Sequence, residues 1–299
     1  MHEDFGTIIN RGFNSWVRNL NICIPFILNF FINIILYFFF FGLMGILLFT
    51  SKNGGIIDPA SIPAQELYSI MWQGFIGNLL TSVFLIVVFL LLSMFVQAFF
   101  TAGAIGMAQK ASQIGDTFIS DMLISGSKNT SRLFLTSLLI ALLLLAGMIF
   151  LVPGVFLAGD ISGLIQNPGE TAEGMGVLIV GILIYTLYLM AVSIMASLAP
   201  YALVIDELKP LEALKTSFNF VFSNKLDVIL IWIFYLGLTF LNSFIGEFIG
   251  TGSGLLAGLT YLVPIIILQP LMTIFWTRLY VSRNGKKLYN PLDLLTEPI

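Results

Sequence analysis

Residues 210–225 read PLEALKTSFNFVFSNK, a short amphipathic segment standing directly before an apolar run. Pro210, Ser217 and Asn224 fall at a spacing of seven, and Phe5, Gly12 and Asn19 repeat that spacing near the N-terminus. Between the two copies, Phe13 matches Phe218 and Asn14 matches Asn219. A looser copy runs from Ile119 through Gly126 to Arg132. Each copy leads into a segment apolar enough to enter a bilayer, so the pattern predicts three repeats of one interfacial amphipathic helix followed by a transmembrane hairpin.

Composition points the same way. Of 299 residues, 58% are hydrophobic, 10% are charged and 28 are Phe, more apolar surface than a water-soluble core of this size can hide. The expected class is an all-α, polytopic integral membrane protein. A single cysteine, Cys23, excludes an internal disulfide and leaves no thiol pair for metal or redox chemistry.

In the first copy, Phe5, Ile8, Ile9, Gly12, Phe13 and Trp16 share one helical face, flanked by Arg11 and Arg18. Such a stripe suits the interface, aromatic face to lipid and arginines to anionic headgroups. It equally suits packing on the protein's own spans, and the sequence leaves both open.

Six spans are expected, at about 25–49, 76–100, 133–157, 175–199, 228–246 and 254–277, within one transmembrane domain covering 1–288 and ahead of a short cytoplasmic tail at 289–299. Pro264 and Pro270 predict a kinked or locally unwound sixth helix. Twelve of the thirteen basic residues then fall on one side, with only Lys52 on the other. By the positive-inside rule the protein sits in the cytoplasmic membrane, multi-pass, with both termini and all three amphipathic units in the cytoplasm.

Catalytic chemistry finds no foothold in this pattern. The only histidine is His2, so neither a Ser-His-Asp nor a histidine-metal constellation assembles, and no metal, cofactor or nucleic acid is expected. The glycine-rich GEFIGTGSG at 246–254 lacks the Gly-Lys-Ser/Thr ending of a phosphate loop and reads as an extracellular turn. Ion-coupled transporters and proton relays keep ionisable groups at membrane depth, and the six expected spans hold none in their interiors. Neutral polar residues do occur there, among them Asn33, Gln97, Asn242 and Gln269.

Four stretches carry a family resemblance: FGTIINRGFNSWVRNL at 5–20, QAFFTAGAIGMAQKASQIGD at 97–116, APYALVIDELKPLEALKTSFNFVFSNK at 199–225 and QPLMTIFWTRLYVSRNG at 269–285. Together they resemble the prokaryotic six-span membrane proteins that include the membrane domain of glycerophosphodiester phosphodiesterases. The resemblance implies a shared scaffold. The phosphodiesterase activity resides in a separate catalytic domain that this sequence does not show.

The expected function is a non-enzymatic membrane module that engages lipids, other membrane proteins or a second copy of itself. Its contact residues would be Phe5, Arg11, Phe13, Trp16 and Arg18 in the first unit, with Lys215, Phe218, Phe222 and Lys225 in the third. The alternative is a transporter or permease for a neutral or amphipathic solute, with Asn242 and Gln269 on its path.

Overall fold

The structure, a computed structural model, describes residues 3–49, 63–158, 172–250, 260 and 262–289. Among these residues it is all-helical. Residues 51–62, 159–171 and 251–259, His2 and the tail from 290 lie outside the described residues; of the turn expected at 246–254, residues 246–250 instead continue the helix that ends at Gly250. The chain opens with α1 (Phe5–Arg18), a 3-10 turn at Leu20–Cys23, α2 (Ile24–Phe49), α3 (Ala64–Gly77) and the long α4 (Leu79–Ile114). Next come α5 (Ile119–Ala146), a 3-10 turn at Gly147–Leu151, α6 (Val152–Ala158), α7 (Ala172–Ala196) and the short α8 (Ala199–Ile205). The remaining elements are α9 (Pro210–Ser223), α10 (Lys225–Gly250), a π-helical turn at Pro264–Leu268 and α11 (Gln269–Arg283).

Six segments are long and apolar enough to cross a membrane: Leu20–Phe49, Leu79–Ile114, Ile119–Leu157, Met175–Ile205, Lys225–Glu247 and Pro264–Arg283. The π-helical turn stands where the paired prolines flank the sixth segment, because Pro264 and Pro270 withdraw N–H donors from the regular ladder there.

Asparagines set the breaks between amphipathic helices and spans. Asn19 ends α1 and Asn224 ends α9, each with its side-chain amide donating to the carbonyl four residues back, Ser15 or Phe220, at 3.0 Å. Asn78 does the same between α3 and α4, bonding Gly74 at 3.1 Å. Each of these carbonyls also accepts the backbone N–H of the same asparagine, so the side chain adds a second donor to the last helical bond and holds the helix end where the backbone turns. The stretch from Ile119 behaves differently. There Leu133 stands where the other copies place Asn, it is buried, and α5 runs unbroken from its amphipathic first turns into its span.

Three helix ends turn through left-handed backbone, at Gly115 (φ 97°), Glu207 (φ 56°) and Gly285 (φ 65°), after α4, α8 and α11. On each of these ends one amphipathic segment packs: α5 on α4, α9 on α8 and α1 on α11. A small residue at the middle of the segment makes the contact. A Cβ at Gly12 would stand 2.5 Å from the Phe275 ring, and one at Gly126 would stand 2.9 Å from Phe99. Ser217 uses its hydroxyl instead, donating to the Met195 carbonyl at 2.6 Å and accepting from the Leu198 N–H at 3.2 Å. It thereby bridges the break between α7 and α8.

The core lies at this same end, around α11. Phe275, Leu279, Tyr280 and Val281 pack with Ile8 of α1, Ile105 of α4 and the buried face of α8. Of the most apolar window of Pro264–Arg283, 78% is buried inside the protein, against 6–11% for the other five candidate spans. That sheath explains how a segment with the lowest mean hydropathy of the six, 1.4, can carry Thr273, Thr277, Arg278 and Ser282.

Away from the core, the spans pair as hairpins with lipid-compatible outer surfaces. Phe40 of α2 stacks on Phe89 of α4 with centroids 4.3 Å apart, and Ser93 donates to the Asn33 side chain at 2.8 Å. Gly181 of α7 lies so close to the Phe150 carbonyl that a Cβ would come within 2.5 Å of it. With no hydrophobic drive between helices in lipid, close approach at small residues and interhelical hydrogen bonds hold such pairs together.

Candidate functional site

The ionisable side chains that the structure pairs gather at the end of the bundle where α1, α5 and α9 pack. Deepest is the Glu3–Arg278 pair. Arg278 donates through Nε and Nη2 to the two carboxylate oxygens of Glu3 at 2.7 and 2.8 Å, and Arg11 adds a third bond at 2.8 Å. Both partners are almost wholly enclosed, with side-chain exposures of 1% for Arg278 and 5% for Glu3. Burial raises the Glu3 carboxyl pKa, but the hydrogen bonds and charges of Arg278 and Arg11 outweigh it and hold the group below the usual carboxylate range. The Glu3 backbone N–H also donates to Ser282 at 2.9 Å.

Around this pair, α11 is tied to its neighbours by further ionic contacts. Lys286 pairs with Asp206, which also accepts from the Tyr280 hydroxyl, and Arg283 bonds Asp227 at 2.8 Å. None of Glu3, Asp206, Asp227 or Arg278 stands out in sequence as a site residue. The nearest signal was Arg278 within the apolar run TIFWTRLYV, which a charge count assigns simply to the cytoplasmic side.

The residues expected to contact lipid or partners divide into two groups. Phe5, Trp16 and Phe218 pack against the bundle, Phe5 edge-on to Phe234 at 6.5 Å. Phe13 and Phe222 remain exposed, at 48% and 56%. Arg11 is engaged with Glu3, while Arg18 bonds both Asp116 oxygens and the Tyr289 hydroxyl. Lys215 is exposed, and the Lys225 ammonium lies 5.9 Å from the Phe222 ring centroid. Asn242 donates to the Thr260 carbonyl at 3.4 Å, and Gln269 is exposed at the first turn of α11.

A polar pocket of about 340 Å³ opens at the same end. Gly106, Gln109, Lys110, Gln113 and Ile114 line it from one face of α4, and Asp121, Ile124, Ser125, Lys128 and Asn129 from one face of α5. Each set follows the i, i+3, i+4, i+7, i+8 pattern of a single helical face, so two polar faces meet across a cleft. Val204 and Glu207, at and beyond the end of α8, close its third side. Lys110 pairs with Asp121 at 2.6 Å and Lys128 with Glu207 at 2.5 Å. The hydrogen bond and charge of Lys128 hold the Glu207 carboxyl below its usual range. Arg132 donates to the Glu207 carbonyl and to the Asn129 side chain, both at 2.9 Å, which fixes the left-handed turn against α5. Among the described residues, no group of histidine, cysteine and carboxylate side chains could hold a metal ion.

No curated protein and no solved structure matches the chain. One family does, over residues 30–279, a range that holds the middle four candidate spans whole and most of the first and sixth, while leaving Glu3 and Arg11 outside it. The chain belongs to the family described as Domain of unknown function (DUF7847).

Proposed function

We propose that the protein is a non-enzymatic module of the cytoplasmic membrane, with both termini in the cytoplasm, whose charged end engages membrane lipids and, through them, partner membrane proteins or a second copy. The observation that carries this reading is the apolar fringe left uncovered beside the charges. Phe13, Val17 and Leu20 are exposed along and after α1, and Phe118, Leu123 and Ile124 at the start of α5. Leu211, Phe222 and Leu226 are exposed on and after α9. These side chains stand next to Arg18, Lys128 and Lys225, the pairing of apolar and basic groups that favours an anionic lipid interface.

The three-repeat reading belongs to the same proposal. Its support is the shared sequence of left-handed turn, packed amphipathic segment and span, with the end of α11 closing onto α1 as the third member. The transport reading draws less support, because Asn242 is bonded to Thr260 and Gln269 lies exposed.

The test is native mass spectrometry of the full chain gently extracted from its membrane, beside a Phe13→Ser, Val17→Ser, Phe222→Ser, Leu226→Ser variant. Trp16 and Phe218 stay intact because their loss would disturb packing. Severalfold lower retention of lipid or protein by the variant, with unchanged helicity, is the expected result. Equal retention overturns the reading.

A further inference from the structure

We infer that the cleft between α4 and α5 is a binding site for the phosphodiester headgroup of a membrane lipid, seated on Lys110, Lys128, Gln109 and Gln113. This deepens the proposed lipid engagement and rests on it. The first ground is unused hydrogen-bonding capacity. Gln109 and Gln113 line the pocket from α4, are only partly buried, and make no hydrogen bond from their side chains among the described residues. Each carboxamide offers two N–H donors and one carbonyl acceptor. Polar side chains that line a cleft without a protein partner present their donors and acceptors to whatever enters it.

The second ground is charge. Lys110 and Lys128 are balanced by Asp121 and Glu207, so these four residues sum to a formal charge of zero, with Arg132 adjacent at Glu207 and Asn129. That balance suits a single negative charge and disfavours a multiply charged anion, which would meet Asp121 and Glu207 without enough cations to offset them. Each lysine commits one of its three N–H donors to its carboxylate and keeps two, giving four charged donors toward the cleft. With the amides the site is donor-rich. A phosphodiester answers it with two anionic oxygens, and a hydroxylated headgroup also offers hydroxyl donors to the Gln carbonyls.

The third ground is what borders the pocket. Ile114 and Ile124 line it and are both 63% exposed, and Phe118 between them in sequence is 68% exposed. An apolar edge beside a donor-rich cleft fits an amphiphile lying with its chains against the edge and its headgroup inside. The volume, about 340 Å³, sits at the small end of ordinary ligand sites, roughly 300–1,000 Å³. That fits a headgroup better than a whole lipid.

The experiment titrates the purified full chain, in neutral detergent, with short-chain phosphatidylglycerol, short-chain phosphatidylcholine and deacylated glycerophosphoglycerol, following bound mass by native mass spectrometry. A Gln109→Ala, Gln113→Ala variant is run beside it. Those two side chains make no hydrogen bond among the described residues, so the variant is expected to keep its fold, checked by its unfolding temperature. The inference expects phosphatidylglycerol to bind at least fivefold more tightly than phosphatidylcholine, glycerophosphoglycerol to bind weakly, and the variant to lose the preference. Equal binding of glycerophosphoglycerol and phosphatidylglycerol would identify a site for a soluble phosphodiester and overturn the lipid assignment. A preference that survives in the variant places the lipid elsewhere and sinks the pocket while leaving lipid engagement standing. Absence of binding by all three ligands, together with no co-purifying lipid, sinks both.

Discussion

Arg278 and Glu3 are 275 positions apart in the chain, yet the guanidinium of one grips both carboxylate oxygens of the other inside the core. Breaking a buried pair from one side leaves a charge without compensation, which costs about 3–5 kcal/mol. Arg278→Met is therefore expected to lower the unfolding temperature in detergent strongly, and Glu3→Gln to do so as well. The double variant Glu3→Gln, Arg278→Met removes both charges and should recover a large part of the loss. A double variant as damaged as the sum of the singles would show that the two sites act independently.

The same pair sets an acid limit. The folded-state pKa of Glu3 lies below its ordinary value of 4.5, so the contribution of the carboxylate is complete above pH 4.5 and is lost as pH falls through the lowered folded value. Unfolding temperature measured from pH 7 downward should fall in that acid window. In Glu3→Gln the fall should be shallower from an already lower starting point.

At Gly12 the space is already taken. Any side chain there must displace the Phe275 ring, 2.5 Å from the position of its Cβ, and overpacking of this kind costs roughly 1–3 kcal/mol. Gly12→Leu should destabilise at the high end of that range. Gly42→Leu, at a position with nothing within 4 Å of its Cβ, is the control and should leave unfolding nearly unchanged.

Ser217 joins α9 to the break between α7 and α8 through one donated and one accepted bond. Ser217→Ala leaves the Leu198 N–H without that acceptor, a loss of about 1–3 kcal/mol for a buried group. Hydrogen exchange should quicken at Leu198 before it changes at the centre of α7. Uniform exchange across both helices would contradict the bridging role.

Hydropathy alone made the helical, six-span character legible, because lipid demands long apolar helices and little else satisfies it. The seven-residue spacing carried more than it first offered: Gly12 and Ser217 are the contact points, and Asn19 and Asn224 are the breaks. The middle copy was weaker in sequence for a physical reason, since Leu133 continues a helix that asparagine would end. What a single chain did not reveal were the pairings between distant segments. Arg278 counted as one more cytoplasmic charge, and nothing near residue 278 announces that Glu3 will meet it. The polar faces of α4 and α5 were present as helical spacings, but only their antiparallel contact turns two spacings into a cleft.

A helix sheathed on all sides imposes an order on biogenesis. The segment holding Arg278 is the least apolar of the six, and its polar groups find their partners in walls built by segments made before it. The segments that wall it precede it in the chain, so α11 closes onto surfaces synthesised before it. Until then Glu3 has Arg11 alone as its cationic partner, and a chain stalled before residue 278 exposes the surfaces of α1, α4 and α8 that α11 covers. Closure of that clamp therefore reports that α11 has docked and that those surfaces are covered.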